Sequence, residues 1–126
     1  MSNDFFVLHK NELAFVGRLL MAVFYLMTAA GLVKDFSEVS LLIRSKKLPY
    51  PRVLLSFIIL AWIIGSIGML APSTKSAAAL LLVMLTVIVT LAIHDFWRAP
   101  RDRFVNEMQH FMKNVGLVGG LLAIAA

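Results

Sequence analysis

Three long apolar runs dominate the chain, and short polar segments separate them. The first covers residues 13–33 and contains one charged side chain, Arg18. The second covers 53–71 and the third covers 76–93, and neither contains a charged residue. At about 1.5 Å per residue, each is long enough to cross a hydrocarbon core of roughly 30 Å. We therefore predict spans at 13–33, 53–71 and 76–97, the last two made antiparallel by a short Pro-Ser-Thr-Lys turn.

The apolar pattern of the last segment is interrupted. Only residues 115–126 are free of polar side chains, which is too short to span unless the helix begins near Phe104. A chain that stopped in mid-membrane would leave carbonyl groups unsatisfied in lipid, so we predict a fourth span at 104–126. The predicted fold class is all-α. It is a transmembrane four-helix bundle forming one integral membrane domain over 1–126, with a short interfacial amphipathic helix over 35–47 between spans one and two.

Composition supports lipid as the main solvent. The chain has 126 residues, of which 60% are hydrophobic and 15% are charged. Its net charge of +5 would suggest nucleic acid in a soluble protein, but the basic residues lie between apolar runs, so no nucleic acid partner is expected. Without cysteine the chain can form neither a disulfide nor a thiolate metal site.

The basic residues predict the orientation of the chain. Loop one, between spans one and two, and loop three, between spans three and four, carry most of the lysines and arginines: Lys34, Arg44, Lys46, Lys47, Arg52, Arg98, Arg101 and Arg103. The opposite side has only Lys10, Arg18 and Lys75. Positive charge favours the cytoplasmic side, so both termini are expected on the non-cytoplasmic side.

The polar residues inside the spans are the candidate functional residues. Asn106, His110, Lys113 and Asn114 follow one another at helical spacing, so they share one face of the fourth span. A charged group in the membrane interior costs about 2.5–3.5 kcal/mol, which predicts that this face points into the bundle or a wet cavity. Such a face could bind an anionic lipid headgroup or a quinone carbonyl. Alternatively, Lys113 extends its ammonium back to the interface and binds nothing.

The end of span three adds His94, Asp95 and Trp97 to this group. Trp97 reads most simply as an interfacial anchor. His94 and Asp95 are neighbours that point about 100° apart, so His94 is expected to meet Asn106 or His110 across the hairpin. Lys34, at the end of span one, is expected to lie at the same membrane depth as His94 and Asn106. The sequence contains no histidine spacing typical of a metal site, so no bound metal is expected.

Two further predictions concern span one and the glycines. Arg18 lies near the opposite membrane surface, where it is expected to reach lipid phosphates. The glycines within the spans are expected to permit close helix packing: Gly17, Gly31, Gly65, Gly68, Gly116, Gly119 and Gly120. An apolar chain with so many close-packing positions is also a candidate for self-association.

From about residue 13 to the C-terminus, the chain resembles the DoxX-like membrane proteins. The resemblance rests on the order of several short motifs: Gly17-Arg18-Leu19-Leu20, Gly31 with Lys34, Leu48-Pro49-Tyr50-Pro51, Gly65-Ser66-Ile67-Gly68, His94-Asp95-Phe96-Trp97, Phe111-Met112-Lys113-Asn114 and Gly119-Gly120-Leu121-Leu122. That family is similarly a four-span bundle. Many of its members carry a glutamate in span two where this chain has Trp62, which argues against a mechanism that needs a carboxylate there.

The resemblance implies a redox-associated subunit of a bacterial inner membrane, since DoxD is associated with a thiosulfate:quinone oxidoreductase. In that interpretation a polar pocket between spans three and four binds a quinone or lipid headgroup, and a soluble redox partner docks on the protein. The residues assigned to this pocket are Lys34, His94, Asp95, Trp97, Asn106, His110, Lys113 and Asn114. The alternatives are a non-catalytic scaffold that stabilises a partner and, less favoured, a small-molecule or lipid transporter. No nucleophile–base pair occurs, so an enzyme acting alone is disfavoured.

Overall fold

The computed structural model describes residues 2–126, with side chains described from Asp4 onward, and this part of the chain is helical and without strands. In chain order the elements are α1 (Ser2–Leu8), α2 (Lys10–Lys34), α3 (Phe36–Ser45), α4 (Pro51–Leu70), α5 (Lys75–Ile93), a 3₁₀ turn (Phe96–Arg98) and α6 (Phe104–Ala125). The all-α class predicted from the sequence is confirmed. The short helix α1 was not predicted, because no apolar periodicity marks it.

Three of these segments are long and apolar enough to cross a membrane: Lys10–Lys34, Pro51–Leu70 and Lys75–Arg98. Their outward faces are apolar as well. Leu20, Met27 and Ile64 are each more than 60% exposed, which would be costly in water and is natural in lipid. Helix α6 has 22 residues, but its polar first half keeps it out of this group.

The helices pack in sequence around the bundle. α2 packs along α4, α4 along α5, and α5 along α6, whereas α2 and α6 touch only lightly. α3 packs on α4 through Ile43, Leu55 and Ile59, which form a small cluster of buried side chains together with Ala29 of α2. A larger cluster fills the bundle from Tyr25 and neighbouring residues on α2 to the middle of α5 and Leu121 on α6.

Three glycines set the closest approaches between helices. A Cβ atom at Gly65 would lie 2.7 Å from Cγ of Leu82, and one at Gly68 would lie 2.9 Å from Cβ of Ala78. A Cβ atom at Gly120 would meet Cε of Met21 at 2.8 Å. The packing role predicted for the glycines applies at these positions. It is wrong for Gly17, Gly31, Gly116 and Gly119, where an added Cβ meets nothing within 4 Å.

The end of the third predicted span is not a continuous helix. α5 ends at Ile93, and His94 and Asp95 leave the helical path before the 3₁₀ turn begins at Phe96. The physical reason lies in the side chains. His94 and Asp95 each pair with a group on another element, and a regular helix would point them about 100° apart.

Candidate ligand-binding site

A cavity of about 400 Å³ lies inside the bundle at the end nearest loops one and three. Residues of α2, α3, α4, α5 and α6 line it, and most of them are apolar. We call it the bundle cavity. Its polar lining residues are Tyr25, Thr28, Trp62, Thr86, His94, Lys113 and Asn114. A cavity of this size with an apolar lining and a few polar groups is typical of sites that bind small organic molecules.

The seam between α2 and α6 forms one side of the bundle cavity. At the level of Met21 and Gly120 the two helices are in contact, because glycine leaves room for the methionine side chain. Nearer the loops, Phe24 and Lys113 occupy the seam, with the Lys113 ammonium 5.7 Å from the centre of the Phe24 ring. Lys113 is exposed and also lines the cavity, as does Phe24. These two side chains therefore form the cavity wall at this seam.

Hydrogen bonds between polar side chains join three helices beside the cavity. The Tyr25 hydroxyl lies 2.6 Å from Oγ1 of Thr86, and the Asn114 amide donates to Oγ1 of Thr90 at 2.9 Å. Thr90 in turn donates to the backbone carbonyl of Thr86 at 2.5 Å. These bonds join α2, α5 and α6 at mid-depth. They fix the side chains that shape the cavity wall and satisfy most of its polar atoms.

One polar group of the wall has no partner among the described residues. Trp62 is 7% exposed, and its indole Nε1 is buried without a hydrogen-bond acceptor. The indole ring packs edge to face with Tyr25 at 5.6 Å, which holds its orientation. A buried donor without an acceptor costs about 1–3 kcal/mol, so an acceptor supplied by a bound molecule would stabilise the site.

A histidine–carboxylate contact and an ion pair lie where the cavity meets loops one and three. His94 Nδ1 is 3.0 Å from Oε2 of Glu107, and the His94 ring stacks on His110 with 5.1 Å between ring centres. Lys46, just after α3, binds Asp95 at 2.5 Å. The second pair ties loop one to loop three. Together the pairs fix this end of the bundle.

Aromatic rings cover the outer side of loop three. Phe96 packs edge to face with Trp97, Phe104 and Phe111, at centre distances of 5.2–5.5 Å. Trp97 also meets Phe111 at 5.9 Å and is 53% exposed. These contacts hold the start of α6 against the end of α5.

The residues predicted as a pocket fall into three groups. His94, Lys113 and Asn114 line the bundle cavity. Asp95, Trp97 and His110 lie beside it, at the junction of α5 and α6. Lys34 and Asn106 are exposed and do not line it.

Helix α6 therefore turns only part of its polar face inward. The expected contact of His94 with His110 is present, whereas Asn106 points outward and His94 pairs instead with Glu107. The reason is that α6 packs mainly on α5, so one side of it stays uncovered.

Arg18 lies at the other end of the bundle. It is on the face of α2 that points inward, and it is 9% exposed. Its guanidinium lies 5.7 Å from the centre of the Phe15 ring, and its Nε has no partner among the described residues. Its contact with lipid phosphate stays a prediction.

Sequence reasoning missed several residues of the site. Trp62, Tyr25 and Thr86 were not proposed, since an aromatic or threonine in an apolar run gives no polar signal. Glu107 and Lys46 were missed because each pairs with a residue on another element. The one available signal for Glu107 was its position in the first turn of α6, across the hairpin from His94.

The architecture is that of a small helical protein with membrane-compatible helices and an internal apolar cavity. The HR-like lesion-inducing family model matches residues 44–125, which is more than half of the chain. The chain belongs to that family. No curated protein and no solved structure matches it.

The family match corrects the resemblance drawn from the sequence. The assignment to the DoxX-like proteins is wrong, because the matching family is a different one. The function inferred from that resemblance is therefore wrong as well. It was a redox-associated subunit with a quinone or lipid headgroup bound between spans three and four. The scaffold and transporter alternatives gain no specific support from the family match.

Proposed function

We propose that this chain is a four-span membrane protein, with loops one and three on the cytoplasmic side. Helix α6 supports the fourth span, because its 22 residues reach about 33 Å and pack along α5. Its polar residues near the cavity, His110 and Asn114, are partly covered by α5. The family description names an effect, lesion induction, and no chemical activity, so the molecular function must come from the site.

The proposed function is binding of a long-chain carboxylic acid in the bundle cavity. One observation carries it: an apolar cavity of about 400 Å³ has a lysine, Lys113, at the seam that separates it from lipid. Among the described residues that line the cavity, this is the one lysine or arginine. The apolar lining fits a hydrocarbon chain, and the ammonium fits a carboxylate.

The depth of Lys113 supports an anionic partner. The residue lies nine positions after Phe104, which is roughly 14 Å along α6. No carboxylate of the described chain lies within ion-pair distance of it. A cation at this depth costs about 2.5–3.5 kcal/mol in a span, and a bound carboxylate would neutralise it. Binding of the carboxylate would thus also neutralise the charge of Lys113.

The indole of Trp62 supports the same ligand. Trp62 lies eleven positions after Pro51, roughly 16 Å into α4, so its depth matches that of Lys113. Its Nε1 donor has no acceptor among the described residues. A carboxylate has two oxygens, and it offers an acceptor to the indole as well as to the ammonium.

The test is binding of radiolabelled hexadecanoate to the purified full chain in lipid nanodiscs. We expect Lys113→Leu to weaken binding by roughly tenfold or more, because a hydrogen bond to a charged group contributes about 1.5–3 kcal/mol. Lys113→Arg keeps the charge and should retain most of the binding. The matched control is Asn106→Leu, on the same helix but exposed and outside the cavity.

A second variant separates the charge from the volume. Thr28 lines the cavity, so Thr28→Trp fills part of it without changing any charge and should also reduce hexadecanoate binding. Hexadecanol, which has the same chain and no charge, should bind more weakly than the acid. The proposal fails if Lys113→Leu binds normally while folded, or if the alcohol binds as well as the acid.

A further inference from the structure

A second concave site lies on the outside of the bundle, between α3 and the start of α4. It has a volume of about 440 Å³ and is separate from the bundle cavity. We call it the α3–α4 groove. Its lining residues are Ser37, Ser40, Leu41, Arg44, Tyr50, Pro51, Arg52 and Val53. The two sites share no residue.

The α3–α4 groove is positively charged. Arg44, in the last turn of α3, and Arg52, in the first turn of α4, are both exposed and line it. Neither forms a salt bridge with a carboxylate of the described residues, and no acidic residue is part of the lining. The Arg52 guanidinium lies 5.3 Å from the centre of the Phe36 ring, which limits its freedom. The groove is therefore built for an anion.

Hydroxyl groups flank the two arginines. Ser37 is exposed at the groove, and Ser40 donates to the carbonyl of Phe36 at 2.7 Å, which leaves its oxygen able to accept. Tyr50 is 77% exposed and has a left-handed backbone with φ of 49°. That conformation is unfavourable for a bulky residue before a proline. Tyr50 is thus held at the groove at a cost in backbone energy.

An apolar stripe continues from the groove along α4. Val53, Phe57, Leu60 and Ile64 are spaced at helical intervals on one face, and each is between 59% and 67% exposed. Leu41 on α3 is 62% exposed at the edge of the groove. This stripe runs from the charged groove toward the middle of a helix that is apolar enough to cross a membrane. A molecule with an anionic headgroup and an apolar chain therefore fits the groove and the stripe together.

We propose that the α3–α4 groove binds the phosphate of an anionic glycerophospholipid from the leaflet next to loop one. Arg44 and Arg52 hold the phosphate oxygens, Ser37 and Tyr50 donate hydroxyl hydrogen bonds, and an acyl chain lies along the stripe from Val53 to Ile64. Guanidinium groups suit this role, because their planar donors match phosphate oxygens in pairs. The site is independent of the carboxylic acid proposed for the bundle cavity.

The experiment measures lipid retention by the full chain. The protein is purified from nanodiscs that contain equal amounts of phosphatidylglycerol and phosphatidylcholine, and native mass spectrometry counts the lipids that stay bound. We expect preferential retention of phosphatidylglycerol. The double variant Arg44→Gln with Arg52→Gln should lower that preference by up to about 30-fold, since each interfacial arginine adds about fivefold.

The matched control is the double variant Arg101→Gln with Arg103→Gln. It removes the same charge from loop three, whose arginines do not line the groove. Retention should be unchanged in this control. An equal loss in both double variants means that general surface charge attracts the lipid, and it overturns the proposal.

Inorganic phosphate tests the alternative source of the anion. If the site is specific for a lipid, millimolar phosphate should leave phosphatidylglycerol bound, because the acyl chain contributes part of the affinity. Displacement by phosphate would identify a site for a soluble anion and would also overturn the proposal. Hexadecanoate binding by the Arg44 and Arg52 variant should stay normal, which keeps the two sites distinguishable.

Discussion

The closest contact between α4 and α5 gives a prediction whose size follows from the geometry. A Cβ atom at Gly65 would lie 2.7 Å from Cγ and 2.8 Å from Cδ2 of Leu82. Leu82 is fully buried, so its side chain cannot turn away without displacing its neighbours. Adding a methyl group to a close-packed site usually costs about 1–3 kcal/mol. Gly65→Ala should therefore force the two helices apart.

Alanine also favours the helix, and this gain must be separated from the clash. Replacing glycine by alanine in a helix gains about 0.5–1 kcal/mol. Gly116 on α6 faces open space, so Gly116→Ala carries the same gain without a clash. Subtracting the two results leaves the packing cost alone. We expect Gly65→Ala to be less stable than Gly116→Ala by about 1–3 kcal/mol.

The assay is reversible unfolding in mixed micelles with increasing dodecyl sulfate, followed by circular dichroism. Gly65→Ala, Gly116→Ala and the unmodified protein are measured under the same conditions, and the free energies of unfolding are compared. Equal stability of the two variants would refute the reasoning. It would mean that α4 and α5 are not in close contact at Leu82 in the folded protein.

Two further predictions follow from the loops and the orientation of the chain. Asp95→Asn should break the ion pair with Lys46 and lower stability by about 1 kcal/mol or less, because both side chains are partly exposed. Backbone hydrogen exchange should then be faster in α3. Unchanged exchange would count against the link between loops one and three. The cysteine-free chain also allows labelling of single substitutions: Lys47→Cys should react with an impermeant maleimide from the cytoplasmic side and Lys75→Cys from the other. Labelling of both from one side would contradict the proposed orientation.

Much of the helical architecture could be predicted from the sequence. Long uncharged runs have few alternatives to a helix, and the amphipathic pattern over 35–47 predicted the helix now seen over Phe36–Ser45. The break after Ile93 could not be predicted. It depends on the partners of His94 and Asp95, and those partners are distant in sequence.

The candidate site was predictable only through its most polar side chains. Lys113, Asn114 and His94 stood out because polar groups are rare in apolar segments, and all three line the cavity. Trp62 did not stand out, since a buried indole reveals its unpaired donor only in the folded protein. The outward direction of Asn106 depends on how α6 packs on α5, which spacing on one helix cannot determine.

The family resemblance failed for a physical reason. Motifs such as Gly65-Ser66-Ile67-Gly68 and Gly119-Gly120-Leu121-Leu122 combine small and apolar residues that closely packed membrane helices generally need. The observed contacts at Gly65, Gly68 and Gly120 show that need directly. Motifs of this kind report helix packing, and packing is shared by families with different functions.

The uneven contacts around the bundle have a consequence for exchange with the bilayer. Three helix pairs are joined along their length, whereas α2 and α6 meet lightly, with Met21 against Gly120. The side of the bundle between α2 and α6 is therefore the least closely packed. Moving α6 about its contact with α5 breaks few contacts with α2, so we expect a guest molecule to enter and leave sideways while the protein stays folded.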